Sequence, residues 1–139
     1  MARLRIALAA LWWGSLTTVG FMVVPLLFAY LPTPAVAGAM AARLFSAQTW
    51  VSVVCGMLLL TVLRRKEAVA PDNRAQDATI FIVSGMLLAL LVEFAVAPQI
   101  VARDNLRLWH TVGSSMYVLQ WLCAAMVMNK LSQIRPAPS

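Results

Sequence analysis

Long stretches without charge constrain the fold of this chain more than any other sequence feature. Four long stretches carry no charge or a single one, at residues 6–42, 44–63, 78–102 and 108–129. The third contains a single charged residue, Glu93, and the fourth contains the titratable His110. About 20 apolar residues are enough for a helix to cross a bilayer. Chains in lipid must also satisfy their own backbone polar groups, so the sequence predicts four membrane-spanning helices.

Composition excludes the alternatives to a membrane protein. The chain of 139 residues is 62% apolar and 12% charged, whereas soluble domains are about 45–50% apolar and about 25% charged. Its hydrophobicity excludes disorder, and its 2 cysteines are too few for a disulfide scaffold. We therefore predict an all-α integral membrane four-helix bundle, a single transmembrane domain over residues 1–139. Its spans are expected at about residues 6–31, 44–63, 78–97 and 108–129.

The start of the second helix and the orientation follow from particular residues. Thr33-Pro34 is typical of an N-cap followed by the first helical residue, so this helix is expected to begin near residue 34. One side of the membrane receives Arg3, Arg5, Arg64, Arg65, Lys66, Arg74, Lys130 and Arg135, and the other receives Arg43, Arg103 and Arg107. The positive-inside rule then puts both termini in the cytoplasm. The basic residues thus indicate topology and a lipid bilayer partner, and no nucleic-acid-binding module is present.

Two segments of the chain resemble each other. Residues 21–25 (FMVVP) and 94–98 (FAVAP) share the pattern F-x-V-x-P. Each is followed by a connection and then by Arg-Leu-aromatic, at residues 43–45 and 107–109. Two helices per unit would give a parallel internal repeat. The alternative, coincidence in a sequence rich in Val and Phe, stays open at this point.

Each of these segments ends in a proline, Pro25 or Pro98. Proline has no N–H, so the carbonyl of Phe21 or Phe94 loses its helical donor. Two outcomes are open. The proline kinks or ends the helix, or the freed carbonyl accepts a bond from a side chain, water or ion.

Glu93 is the residue that the sequence marks most clearly for a function. An ionised carboxylate inside a spanning helix is costly unless it is paired, and such residues are functional candidates. At about 1.5 Å per residue, Glu93 lies about 22 Å along its helix from Ala78, near the outer end. Arg43, Arg107 and His110 lie near the points where their helices enter from that side, so we expect all four in one outer layer.

Helical spacing on the fourth helix adds to this layer. Its polar residues Arg103, Arg107, His110, Thr111 and Ser114 are three or four positions apart and share one face. We expect this stripe to point into the bundle, continued inward by Tyr117 and Trp121, because polar groups avoid lipid. The candidate binding residues are Arg43, Glu93, Arg107, His110 and Ser114.

Several chemistries fit these residues. Glu93 and His110 could relay a proton, because histidine titrates near neutral pH. The arginines could hold an anion. His110 with methionines could bind copper, and it is the expected ligand of any metal. In the structural alternative, Glu93 forms a salt bridge with an arginine and locks the third helix to the fourth.

No motif points to an enzyme, and we predict no catalytic residue. The sequence has no P-loop and no H-E-x-x-H, C-x-x-C or G-x-S-x-G motif. With 1 His in the chain, a haem with two histidine ligands from one chain is excluded. Haem with one histidine, or copper, stays open as a cofactor.

Several short motifs, taken in order, resemble a known family. They are Trp13-Gly14, residues 25–28 (PLLF), Gly38 followed by residues 43–45 (RLF), Ala97-Pro98 with Ile100, and His110 with Ser114. Over about residues 8–129 the chain resembles the domain of unknown function 4149 family, the transmembrane protein 205-like proteins. That resemblance implies a four-helix protein of the bacterial inner membrane and brings no settled activity. The layout is more distantly similar to copper-resistance D and membrane protoporphyrinogen-oxidase proteins, helical bundles associated with haem or copper.

The leading hypothesis is a membrane protein that binds or transports a small solute or ion through an outer-leaflet polar site. Glu93 would accept a charge or proton, His110 would carry the proton or act as a ligand, and the arginines would hold an anion. One alternative is a haem- or copper-binding redox protein, and another is a structural or partner-binding membrane subunit. Four short helices make a thin wall, so a homo-oligomer is also consistent with the sequence.

Overall fold

Four long helices account for the fold. The computed structural model describes residues 2–67, 73–102 and 105–133, and every regular element in those ranges is helical. The helices are α1 (Ala2–Thr18, Val19–Val23 and Val24–Tyr30), α2 (Pro34–Glu67), α3 (Asn73–Leu91, Val92–Val96 and Ala97–Val101) and α4 (Leu106–Ser132). The predicted all-α four-helix architecture is confirmed. The expectations for Arg103 and Arg135 lie outside the described residues.

Each helix is long and apolar enough to cross a membrane. The candidate spans are Arg3–Tyr30, Pro34–Arg65, Ala75–Val101 and Leu106–Ser132. At its start, α2 is capped by Thr33, whose Oγ1 accepts a hydrogen bond from the Val36 N–H at 3.3 Å. The 34 residues of α2 extend about 51 Å, well beyond the roughly 30 Å hydrocarbon core. One end of α2 therefore projects from the membrane.

The four helices lie at the corners of a square, in chain order around it. α1 and α3 each pack against both α2 and α4, and the α3–α4 contact is the most extensive. The start of α1 and the end of α4 lie at one end of the bundle, called the terminal end here, where Lys130 of α4 pairs with Asp77 of α3 at 2.7 Å. The opposite end, where α1 and α3 end and α2 and α4 begin, is called the hairpin end.

The buried core lies toward the terminal end. Its members are Ala9, Trp12, Leu16, Cys55, Leu59, Leu63, Ala75, Ala78, Ile82, Ala124, Val127 and Leu131. Toward the hairpin end few side chains are buried, among them Ala37, Ala41 and Val96. Residues 24–30 and 97–101, the last parts of α1 and α3, contain no buried residue. The bundle is therefore well packed at the terminal end and opens toward the hairpin end.

Burial supports the internal repeat in α1 and α3. The buried positions of α1 are 5, 9, 12 and 16, and those of α3 include 78, 82, 85 and 89. The two sets differ by 73 positions, the same shift that superposes the two F-x-V-x-P segments. Trp12 and Gly85 are equivalent under this shift and touch: a Cβ on Gly85 would lie 2.8 Å from the Trp12 ring. Contact between equivalent residues is what a twofold axis along the bundle produces.

A similar relation holds between α2 and α4. Buried positions 52, 56, 59 and 63 of α2 correspond to 120, 124, 127 and 131 of α4, a shift of 68. Ser52 and Gln120 are equivalent under it and are hydrogen-bonded at 2.8 Å. Together these matches favour a parallel repeat over coincidence. The Arg-Leu-aromatic segments, at a shift of 64, lie one turn out of this register and do not mark equivalent positions.

Both prolines follow a π-helical turn. Val19–Val23 and Val92–Val96 are π turns at the same distance before Pro25 and Pro98. The Val24 N–H bonds to the Val19 carbonyl, and the Ala97 N–H bonds to that of Val92. In both cases the helix continues past the proline, so neither proline ends its helix, and a kink or a bond to the freed carbonyl stays a prediction. The wider turn accommodates a residue that donates no backbone hydrogen bond.

Candidate functional site

Glu93 is half-buried in the π turn of α3, where it faces α2. Its carboxylate accepts a hydrogen bond from the Ser46 hydroxyl, whose Oγ lies 2.7 Å from Oε1 and 3.0 Å from Oε2. Among the described residues no arginine, lysine or histidine forms an ion pair with this carboxylate. The hypothesis of a salt bridge from Glu93 to an arginine of α4 is therefore wrong for this part of the chain. The partner is a neutral serine on α2.

The charges of α2 show the depth of this contact. Arg43 and Arg64 are about 31 Å apart along the helix, close to the thickness of the hydrocarbon core. Ser46 lies one turn, about 4.5 Å, inside Arg43. If Arg43 and Arg64 mark the borders of the apolar layer, the Glu93–Ser46 pair lies just within it on the hairpin side.

The other predicted residues do not converge on Glu93. Arg43, Arg107, His110 and Ser114 are all exposed, as is Thr111. The expectation that the α4 stripe points into the bundle is therefore wrong, although Tyr117 and Trp121 do turn inward. The reason is the opening of the bundle, because a helical face that is covered near the terminal end is uncovered near the hairpin end.

His110 and Glu93 also differ in depth. Gly113 of α4 lies beside Val96 of α3, and Gln120 is level with Ser52 of α2. These contacts put Glu93 level with residues 114–117 of α4. His110 therefore lies one to two turns, about 5–11 Å, nearer to the hairpin end.

A second polar group, missed by the sequence analysis, lies deeper in the bundle. The Gln48 amide donates to the Ser15 hydroxyl at 3.0 Å, and the Gln120 amide donates to the Ser52 hydroxyl at 2.8 Å. Gln48, Ser52 and Gln120 are all buried. These bonds connect α1, α2 and α4. The available signal was the presence of glutamines in otherwise apolar stretches, since an uncharged amide in lipid needs a partner on another helix.

The described residues offer little for a metal. No group of three or more His, Cys, Asp or Glu side chains that could hold a metal ion occurs in residues 2–67, 73–102 and 105–133. Cys55 and Cys123 are free thiols. The polar atoms around Glu93 are oxygens, which suit a proton or a hard cation better than copper.

These features define a multi-pass membrane protein in which the Glu93 carboxylate, inside a candidate span, lies beside a neutral hydroxyl. The family model described as "Domain of unknown function (DUF4149)" matches residues 7–108, and the chain belongs to this family. The matched region contains Ser46, Glu93 and both π turns, and it ends before His110. No curated protein and no solved structure matches the chain.

Proposed function

We propose that this protein binds a small cation, in the simplest case a proton, at Glu93. The observation that carries the proposal is that, among the described residues, the carboxylate of Glu93 pairs with a neutral serine and with no basic side chain. In an apolar layer an ionised carboxylate without a positive partner is unfavourable. A bound cation or proton removes that cost, while Ser46 orients the carboxylate.

The exposed polar residues have supporting roles in this proposal. His110 exchanges protons between Glu93 and the hairpin surface, because an imidazole ring can both accept and donate a proton. Arg43 and Arg107, with Ser114, receive the counter-anion or the polar part of a solute at the same end. Both roles rest on the position of these residues at the hairpin end and on the chemistry of their side chains.

We also propose an orientation, a membrane and an oligomeric state for the protein. The excess of Lys and Arg at the terminal end favours a cytoplasmic location for that end. The family resemblance favours the bacterial inner membrane. Self-association belongs to the same proposal, since four helices make a thin wall and large apolar faces, such as those of Leu11 and Leu87, are not covered by the chain itself.

Carbodiimide labelling tests this function. A hydrophobic carbodiimide reacts with protonated carboxyl groups inside the membrane, and mass spectrometry identifies the modified residue. We expect Glu93 to be labelled, with less labelling at high pH and when a bound cation competes. Glu93→Gln should abolish the signal.

Asp77→Asn is the matched control for this experiment. Asp77 is a carboxylate at the terminal end that Lys130 already neutralises at 2.7 Å, so its replacement should leave the labelling of Glu93 unchanged. Labelling of Glu93 that is insensitive to both pH and added cations would favour the purely structural alternative.

A further inference from the structure

The Glu93–Ser46 pair lies where the bundle changes from open to closed. Toward the hairpin end, residues 24–30 and 97–101 contain no buried residue, and Ser114 of α4 is exposed. Within about two turns toward the terminal end, side chains from three helices are buried, namely Leu16, Gln48, Thr49, Ser52 and Gln120. Glu93 therefore borders an open region on one side and a closed region on the other.

An aromatic pair forms the first closed layer beside this site. The Tyr117 ring of α4 fills the space next to Gly20 of α1 that a Cβ atom would need. Its hydroxyl donates to the Leu16 carbonyl at 2.8 Å. On its other side the ring packs edge-on against Phe45 of α2, with 5.1 Å between the ring centroids. Because Phe45 directly precedes Ser46, this pair, called the floor here, joins α1, α2 and α4 at the depth of the carboxylate.

The internal repeat shows that one half of the bundle carries the carboxylate and the other half carries the floor. Under the shifts that relate the two halves, Glu93 corresponds to Gly20, and Ser46 corresponds to Ser114. The place equivalent to the carboxylate is thus taken up by the Tyr117 ring. The repeat therefore contains one carboxylate site, with a closed interior next to it.

Behind the floor, the polar groups are neutral and bonded to one another. The Gln120 amide donates to the Ser52 hydroxyl, which donates to the Gln48 carbonyl at 2.9 Å. The Gln48 amide donates to the Ser15 hydroxyl, which donates to the Trp12 carbonyl at 2.9 Å. These bonds join α1, α2 and α4 and offer a cation no charged partner.

From this network to the terminal end the interior is apolar. No charged residue occurs in residues 44–63 of α2, 78–92 of α3 or 111–129 of α4. Along α3, the next carboxylate after Glu93 in this direction is that of Asp77, about 24 Å away. Moving an ion through such a packed layer without a partner is strongly unfavourable.

We propose that the Glu93 site is a dead end: a cation enters from the hairpin end, stops at the Phe45–Tyr117 floor and leaves by the same route. The protein is then a receptor for a cation from one side of the membrane, and a single chain is not a path across it. The identity of the ligand as a cation rests on the proposed function, whereas the one-sided entrance and its floor do not.

Thiol labelling from one side of the membrane tests the entrance. The full chain carries Cys55→Ala and Cys123→Ala, lies in membrane vesicles and meets a membrane-impermeant, cationic methanethiosulfonate reagent from one side at a time. Met40→Cys and Arg65→Cys, at exposed positions of the hairpin end and the terminal end, show which side the reagent reaches. Mass spectrometry measures the rate of modification.

Two further cysteines report on depth. We expect Ser46→Cys to react from the hairpin side only and Ser52→Cys to react from neither side. Tyr117→Ala should raise the rate at Ser52→Cys from the hairpin side by about tenfold or more, because a packed thiol reacts only after local opening. Tyr117→Phe keeps the ring and is the matched control, with no such rise. If Tyr117→Ala does not fold, Phe45→Ala removes the other half of the floor.

Ion uptake by liposomes tests the dead end itself. The purified protein is reconstituted with a pH-sensitive or a sodium-sensitive dye inside, and a proton or sodium gradient is imposed. We expect the same uptake for the wild-type chain and for Glu93→Gln. Faster uptake by the wild-type chain would show a path through the carboxylate and overturn the dead end.

The labelling results can also overturn the proposal. Reaction of Ser46→Cys from the terminal side, or its protection from both sides, contradicts the one-sided entrance. Reaction of Ser52→Cys as fast as Ser46→Cys with the floor intact contradicts the floor. Carbodiimide labelling separates these failures from failure of the proposed function. Cation-sensitive labelling of Glu93 with Glu93-dependent uptake overturns the dead end alone, whereas insensitive labelling with the expected thiol pattern overturns the proposed function and leaves the entrance standing.

Discussion

At the residue scale, Glu93 combines a side-chain and a backbone feature. It is an intramembrane carboxylate, and it lies in a turn whose hydrogen bonding is altered by Pro98. The sequence singles out both residues but not their relation. Ser46 has no distinguishing signal, because small hydroxyl residues are common in membrane helices and only the packing of α2 on α3 selects this one.

The buried glutamines lead to a prediction about stability. Gln120→Ala should lower the free energy of unfolding by about 0.5–2 kcal/mol, because the donor to Ser52 is lost inside the bundle. The measurement is thermal or denaturant unfolding in detergent. Gln76→Ala, at an exposed position on α3, is the control and should change stability by less than about 0.5 kcal/mol. Equal effects would contradict the role given to the buried amide.

The same substitution, glycine to alanine, should have opposite effects on stability at two positions. Gly85→Ala puts a Cβ within 2.8 Å of the buried Trp12 ring, and such overpacking costs about 1–3 kcal/mol. A Cβ on Gly38 of α2 would meet no other atom within 4 Å, so Gly38→Ala should be neutral or stabilise by up to about 1 kcal/mol through helix propensity. Unfolding in detergent measures both. Tolerance of Gly85→Ala would argue against the close α1–α3 contact at the twofold axis.

At the scale of single helices, α2 is longer than the membrane is thick. If Arg43 and Arg64 mark the borders of the apolar layer, Met40 lies outside it and Val54 lies near its middle. The rest of the protein leaves about half of each side chain uncovered, 45% of Met40 and 54% of Val54. In a background that carries Cys55→Ala and Cys123→Ala, Met40→Cys should react with a water-soluble maleimide and Val54→Cys should not. Comparable reaction rates at the two positions would place α2 differently in the bilayer.

At the scale of single helices, the π turns show what the sequence pattern can and cannot predict. The F-x-V-x-P segments indicate where the helical hydrogen bonding is interrupted, because proline lacks a donor. They do not indicate whether the helix stops, kinks or widens. That depends on tertiary contacts, and in α1 these come from Tyr117, whose sequence separation of 101 from Leu16 no local pattern reveals.

At the scale of the whole molecule, charge and hydrophobicity are sufficient to predict four helices and the start of the second. They also suggest the repeat, which the burial register then supports. The orientation of Arg107, His110 and Ser114 could not be predicted in the same way. Spacing identifies a face of a helix, but whether neighbouring helices cover that face depends on where the bundle opens.

Topology provides a prediction for the whole chain. If both termini are cytoplasmic, as proposed, a fluorescent protein fused after Ser139 should fluoresce in a bacterial host, and alkaline phosphatase at the same point should be inactive. Phosphatase fused after Leu31, at the α1–α2 connection, should be active because that end would then lie outside. The reverse pattern would invert the assigned orientation and move Glu93 to the cytoplasmic side.

The central claim is that the Glu93 carboxylate takes up a cation within the membrane, and nuclear magnetic resonance of labelled glutamate tests it most directly. Glu67 and Glu93 are the two glutamates of the chain, so carboxyl ¹³C labelling gives two signals, and Glu93→Gln assigns them. We predict that the Glu93 signal changes saturably with pH or added monovalent cation, that Ser46→Ala alters this response and that Asp77→Asn does not. A Glu93 signal that responds to neither pH nor cations would contradict the account.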